Sequence, residues 1–354
     1  MSDSVPEDAL ATALRLVDEE YRLVDAEPID RGRSRLYRLR AKRRGEVETL
    51  VFKAAPPGEE TDPGISTDAR LLSLLGERTS IPVPRVRGIV DDHPTVPTPA
   101  LLMDELDGNE KPYEAIARFD DSALETFAER MGAYLGELHG IDCLDAYGHV
   151  RPAGEETLQG ELPDDPAAAL TTSGIDSWST FLERWSEREL ERHAESRFDS
   201  LTSELRRWIE RRRADQQDAV GPVLGRNDHG LHNLLVDPAS GEITAVLDWA
   251  YTLGVAPSFD FEYAAYLYSG AFLAGLPAVS DRRDPVRAAM LSGYRSTAPE
   301  PAARAVAEPQ PLYQLLAMIR VMNDFELLDL PNDGTAEVAE GLAADARALI
   351  DDGA

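Results

Sequence analysis

A chain of 354 residues, 43% of them hydrophobic, is too long for one small core and fits two domains or lobes. Its 65 acidic against 36 basic side chains leave a formal charge of −29, which argues against docking to nucleic acid or to an anionic membrane through a basic face. The single cysteine, Cys143, excludes an internal disulfide framework; together with an acidic N-terminus that lacks an apolar core, this leads us to expect a protein of the reducing cytoplasm.

Of the basic residues only Lys42, Lys53 and Lys111 are lysines. An acidic, lysine-poor surface around an ordinary apolar content is the pattern of a halophilic protein, because molar salt screens the self-repulsion that opposes folding. Acidity spread this widely gives no ground for inferring a cationic substrate.

Residues 7 to 20, with Leu10, Leu14, Leu16 and Val17, read as an amphipathic helix. A β-rich stretch follows: an extended segment from Tyr21 to Ile29, a glycine turn over Arg31-Gly32-Arg33-Ser34, a strand from Leu36 to Leu39, a reversal at Arg43 to Glu46, and a strand from Glu48 to Ala54. Such a turn, with Gly32 and Ser34 in it, offers backbone N–H groups to a polyphosphate, and Lys53 on the later strand offers an ammonium. Lys53 lies inside the apolar run T-L-V-F-K-A-A, where a charge calls for a partner. Asp68, on a short helix spanning Asp68 to Leu75, is the natural one.

After I-P-V-P84 breaks any helix, Pro99 to Met103 reads as a strand leading to the hinge D-E-L-D-G108. The lobe boundary is therefore expected near residue 106, with a nucleotide-binding lobe over 1–106 and a catalytic, substrate-binding lobe over 107–354. Leu124, Phe127, Met131, Leu135 and Leu138 then define a helix that ends at His139-Gly140, where His139 is read as structural. Residues Gly148 to Gly174 are read as loop. Helices are expected around Trp178 to Trp185 and Leu201 to Ile209, and later near 258–272, 284–296, 311–329 and 334–350. The uncharged run Tyr263 to Ser280 is read as a buried helix followed by a loop, since Gly270, Gly275 and Pro277 interrupt it and basic flanks are missing.

The stretch from Val223 to Tyr251 is the centre of the reading. Two apolar runs, Asn233 to Val236 and Ile243 to Leu247, flank a Pro238 to Gly241 turn and make a β-hairpin. Loops at its open ends hold Asp228, Asn233 and Asp248. Each alone is a common turn former. As a set they match the needs of phosphoryl transfer: a carboxylate to take the proton of an attacking hydroxyl, and two hard oxygen ligands for Mg²⁺. His229 and His232 are three apart, but Gly230 and the loop setting argue against a helical face and no Cys or further His lies nearby, which argues against zinc.

These features, in this order, resemble the aminoglycoside phosphotransferase family over about residues 10 to 330, with N-L-L-V-D237 and V-L-D-W249 the most specific pieces. The resemblance implies an α+β, protein-kinase-like bilobal fold, with a β-rich N-terminal lobe and a mostly helical C-terminal lobe. It also implies a small-molecule kinase using ATP or GTP with Mg²⁺, on acceptors that in the family include antibiotics, choline and other metabolites. Asp228 and Asn233 match the catalytic Asp and a Mg²⁺-binding Asn of the motif H-G-D-x-x-x-x-N. Asp248 matches the second Mg²⁺ ligand, Lys53 the Lys that holds the phosphates, and Asp260 the Asp that braces the catalytic loop.

Two positions depart from the family. Arg226-Asn227 stands where the family has His-Gly; Arg226 can also donate hydrogen bonds to order the loop. Asp68 stands where the family usually has Glu to pair with the Lys. A nucleotide-binding module without turnover is the alternative reading that these departures leave open.

Overall fold

The structure, a computed structural model, describes residues 4–352 apart from 31, 60–62, 111–112, 155–156, 215, 217–219, 238–241, 274, 277–278, 329 and 331–333. Arg31 in the expected glycine turn and the expected Pro238 to Gly241 turn lie outside the described residues. The chain divides into two compact units, one of Met1–Asn109, His149–Thr172 and Leu234–Thr252, the other of Glu110–Gly148, Ser173–Asn233 and Leu253–Ala354. The sequence reading places one cut near residue 106, whereas these units exchange the chain several times.

The first unit opens with α1 (Glu7–Val17), followed by the strands β1 (Arg22–Ile29), β2 (Arg35–Arg43) and β3 (Glu46–Ala54). Helix α2 (Gly64–Arg78) and the strands β4 (Val86–Val90) and β5 (Ala100–Asp104) complete its first segment, and the two-residue β6 (Asn109–Glu110) falls at the boundary. The strands form one antiparallel sheet of order β1-β2-β3-β5-β4, in which Lys53 is registered between Leu36 and Leu101. Period-two alternation sends Leu50, Phe52 and Ala54 of β3 into a core with Leu10, Ala13 and Leu14 of α1, and Lys53 to the opposite face.

The segment expected to be loop contains two strands, β7 (Gly148–Pro152) and β8 (Leu170–Thr172), paired antiparallel. They are short and rich in turn-forming residues, so their pairing comes from packing rather than from local pattern. Gly160 lies against α1: a Cβ there would meet the Leu16 carbonyl oxygen at 2.0 Å. Asp91 ties this segment to α2. It accepts from Leu158 N–H at 3.0 Å, from Arg70 Nη2 at 2.7 Å and from Ser66 Oγ at 2.6 Å.

The second unit is mostly helical. It contains α3 (Asp121–His139), α4 (Trp178–Ala194), α5 (Thr202–Arg213), the strand β9 (Val223–Gly225), and α6 (Pro257–Ser269), α7 (Arg283–Thr297), α8 (Glu300–Ala305), α9 (Pro311–Asn323) and α10 (Thr335–Asp352). Asp120 caps α3 by accepting from Ala123 N–H at 2.8 Å, and Ser177 caps α4 through Thr180 N–H at 3.2 Å. Helices α3 and α7 meet backbone to backbone. A Cβ on Gly132 would come within 2.1 Å of the Met290 carbonyl oxygen, and one on Gly293 within 1.8 Å of that of Glu129. Among the described residues no helix is long and apolar enough to cross a membrane.

The hairpin read from the sequence belongs to the first unit: β10 (Leu234–Val236) pairs antiparallel with β11 (Ile243–Val246), Leu234 opposite Val246. The last strand, β12 (Leu253–Val255), pairs with β9 in the second unit.

Candidate functional site

In the first unit a cation and two carboxylates stand together on the face of β3 that α2 covers. Lys53 Nζ donates to Asp68 Oδ2 at 2.7 Å and lies 3.6 Å from Asp248 Oδ1. Lys53 and Asp68 are buried, while the Asp248 side chain is 46% exposed. Burial alone would lower the ammonium's pKa, but Asp68 and Asp248 outweigh it and hold Lys53 above its ordinary value. The other oxygen of Asp68 accepts from Trp249 N–H at 3.0 Å, so the carboxylate is fixed from both sides. That bond depends on Asp248, which adopts left-handed backbone with φ 59° and turns the chain so that the next amide faces Asp68. Trp249 itself is buried and donates its indole N–H to Val246 O at 3.1 Å.

Gly32 and Ser34 lie in the connection between β1 and β2. Gly32 has φ 61° and open space where a Cβ would be, and Arg33 pairs with Glu59. Glu59 in turn lines a cavity of about 440 Å³ with Gly58, Gly64, His149 and Tyr251.

In the second unit the loop after β9 is built around Asp260, a buried residue in the first turn of α6. Asp260 Oδ2 accepts from Arg226 N–H at 3.0 Å; Oδ1 accepts from Asn227 N–H at 3.4 Å and pairs with His229 Nε2 at 2.9 Å. His139, the last residue of α3, reaches Asp260 Oδ2 at 3.4 Å and the Tyr294 hydroxyl at 2.7 Å through its other nitrogen. Burial would raise the Asp260 carboxyl, but the two imidazoles hold it well below the usual carboxylate range. Asn227 takes φ 64°. Glycine enters this region freely and Asn enters it most readily of the other residues, so an Asn at this position keeps a backbone turn open to glycine.

Asp228 follows. Its side chain is 38% exposed, its Oδ1 accepts from Gly230 N–H at 3.0 Å, and its Oδ2 lies 3.6 Å from His232 Nε2. Desolvation pushes its pKa up, yet His232, the Gly230 amide and Arg226 more than compensate and keep the carboxylate ionised well below the ordinary range. Asn233 is buried, and its Nδ2 has no hydrogen-bond partner among the described residues. The two orientations of an amide are isosteric, so this orphaned position is one that an amide oxygen fills, which suits a hard cation. Asp248, a partly exposed carboxylate, is a second such donor.

The structure thus brings Lys53, Asp68 and Asp248 together in the first unit, and Arg226, Asp228, Asn233 and Asp260 along one loop and helix in the second. Two contributors were not foreseen. The Trp249 amide gives no sequence signal, because its contact is made by backbone. Arg320, which donates from Nη1 to Asn227 O at 2.8 Å and to Asn227 Oδ1 at 2.6 Å, does give one: it is the lone charge in P-L-Y-Q-L-L-A-M-I-R-V-M.

With this geometry in place, comparison with known proteins identifies the chain. The phosphotransferase enzyme family matches residues 25–310, and the chain belongs to that family. No curated protein matches it. Among solved structures it is similar to a Ralstonia eutropha protein assigned to the aminoglycoside phosphotransferases, with 17% identity, TM-score 0.58, and coverage of 98% of this chain and 96% of that one. It is also similar to a thermostable mutant of aminoglycoside phosphotransferase APH(4)-Ia in complex with ADP and hygromycin B, with 14% identity, TM-score 0.53 and 99% of both chains covered. A third is an APH(2″) structure with GDP and kanamycin, at 16% identity and TM-score 0.54, covering 96% and 98% of the two chains. The fold is that of the aminoglycoside phosphotransferases, protein-kinase-like, with a β-sheet N-terminal region and a helical C-terminal part.

Proposed function

We propose that this protein is a small-molecule kinase that transfers the γ-phosphate of ATP or GTP to a hydroxyl group of a small acceptor. The observation that supports it best is the loop at 226–228. Its sequence departs from the family's His-Gly, yet the amides of Arg226 and Asn227 are both held by Asp260, and it leaves Asp228 ionised and partly exposed. Nucleotides in the similar structures, ADP in one and GDP in another, support the donor class.

In this reading Lys53 grips the donor's phosphates, with Asp68 fixing the ammonium's position. Asn233 and Asp248 would hold Mg²⁺, which when bound neutralises charge on the phosphates. Gly32 and Ser34 contribute backbone amides toward the phosphates. Asp228 accepts a hydrogen bond from the acceptor hydroxyl and aims its oxygen. The oxygen bonds to the γ-phosphorus as the bond to the β,γ-bridging oxygen breaks, and the hydroxyl proton passes to Asp228. An Asp with a depressed pKa is a weak base, so most of its contribution is placement of the nucleophile.

The test is single-turnover transfer from γ-labelled ATP and GTP to a panel of aminoglycosides, choline, sugars and homoserine in molar KCl, for wild type and Asp228→Asn. Asp228→Asn is expected to slow transfer by on the order of 100-fold with nucleotide affinity little changed. Equal rates in the two proteins, or nucleotide binding with no transfer to any acceptor, would return the chain to a nucleotide-binding module.

A further inference from the structure

We propose that Arg320 is a positioning residue for phosphate transfer, acting through Asn227 on Asp228; the inference rests on the kinase reading above. Arg320 lies in α9, far along the chain from the loop. Both of its hydrogen bonds go to the residue immediately before Asp228, one to the backbone carbonyl at 2.8 Å and one to the side-chain carbonyl at 2.6 Å. Its guanidinium lies 4.4 Å over the ring of Tyr263, which is three residues beyond Asp260 on α6. Asn227 is therefore held at its N–H by Asp260 and at both of its oxygens by Arg320.

A left-handed residue other than glycine is a strained point that persists only where its surroundings over-determine it. The φ of 64° at Asn227 sets the direction in which the chain leaves toward Asp228. The side-chain oxygen that Asn brings, and that glycine lacks, is the atom Arg320 grips at the shorter distance. Arg320 and Asn227 thus form one device: the Asn supplies the turn and the handle, and the Arg holds it. Arg320 is half-buried among the apolar residues of α9, where even partial desolvation of a guanidinium is costly, and a purely space-filling role would be served by an apolar side chain. One nitrogen, Nη1, makes both bonds to Asn227, while the flat guanidinium lies over the Tyr263 ring; that planar packing is what Arg has and Lys lacks.

The test combines hydrogen exchange with single-turnover transfer for Arg320→Gln, Arg320→Lys, Asn227→Ala and the double variant Arg320→Gln with Asn227→Ala. Arg320→Gln is expected to speed exchange at Asp228 and Gly230 by about tenfold or more while α3 and α7 keep wild-type rates, and to slow transfer by about 10- to 100-fold with nucleotide affinity within about twofold. Arg320→Lys, which keeps one bond to a carbonyl, restores part of both. The double variant is no worse than the worse single one, since both changes break the same link. Unchanged loop exchange, loss of protection across the whole unit, or single effects that multiply in the double variant would overturn the proposal. A wild type that transfers no phosphate would sink the kinase reading, and the exchange cycle would still decide whether Arg320 holds the loop through Asn227.

Discussion

Lys53 is a cation in a place that only carboxylates make tolerable, and this gives it two separable effects. Removing one partner of a buried pair strands the other, so Lys53→Ala should destabilise the protein by about 3–5 kcal/mol in a urea melt, with Asp68 left uncompensated. Replacing both, Lys53→Met with Asp68→Leu, should recover most of that stability without recovering nucleotide affinity. Affinity that survives in the double variant, measured by calorimetry, would remove the phosphate role from Lys53. Asp228 is expected to behave differently. Because its folded pKa is depressed, it is ionised throughout the neutral range, and the transfer rate should show no acid limb from Asp228 between about pH 5 and about pH 8. An acid limb there that disappears in Asp228→Asn would contradict this. Lys53 was legible in the sequence because lysine is so scarce and its neighbours are apolar. Arg320 obeys the same rule on α9, but arginine is plentiful in this chain, and scarcity gave no warning.

At the scale of elements, what the sequence conveyed depended on whether a pattern was local. Helix α3 spans 19 residues, and its apolar repeat from Leu124 to Leu138 is readable without any partner. Strands β7 and β8, with five and three residues, have no such repeat, and their pairing is information held in distant parts of the chain. The six-residue α8 is too short for a period to show. The glycines of α3 and α7 carry a contact that periodicity ignores. Because a Cβ at Gly132 would collide with the backbone of α7, Gly132→Ala should cost about 1–3 kcal/mol despite alanine's better helix propensity. A urea midpoint unchanged or raised in that variant would show that the helices separate freely. His193 of α4 is buried against Thr202 and Met322, and desolvation brings its pKa down to about 4. A His depressed in the folded state is charged first in the unfolded state, so stability should fall as pH drops from about 6.5 to about 4 and level off below. His193→Gln should flatten that slope in thermal melts, whereas the depressed carboxylates of Asp91, Asp228 and Asp260 contribute their losses only below about pH 4.

For the whole molecule the dominant quantity is the charge of −29. At about 0.1 M salt the screening length is about 10 Å, and at about 1 M it is about 3 Å, so added salt removes repulsion between neighbouring acidic side chains across the surface. Melting temperature followed by circular dichroism should therefore rise steadily with KCl into the molar range. A melt indifferent to salt would remove the halophilic inference. The first unit also draws on three separate stretches of chain, the last ending at Thr252. Trp249 N–H on Asp68, Val246 N–H on Pro82 O at 2.7 Å, and Leu158 N–H on Asp91 are all contacts that its opening 109 residues cannot make for themselves. On a ribosome, the N-terminal sheet must then wait, incompletely covered, until more than two-thirds of the protein has been synthesised. Its lifetime in that state is governed by elongation speed, and at about 5–20 residues per second the wait lasts many seconds, long enough for chaperones to become part of its folding.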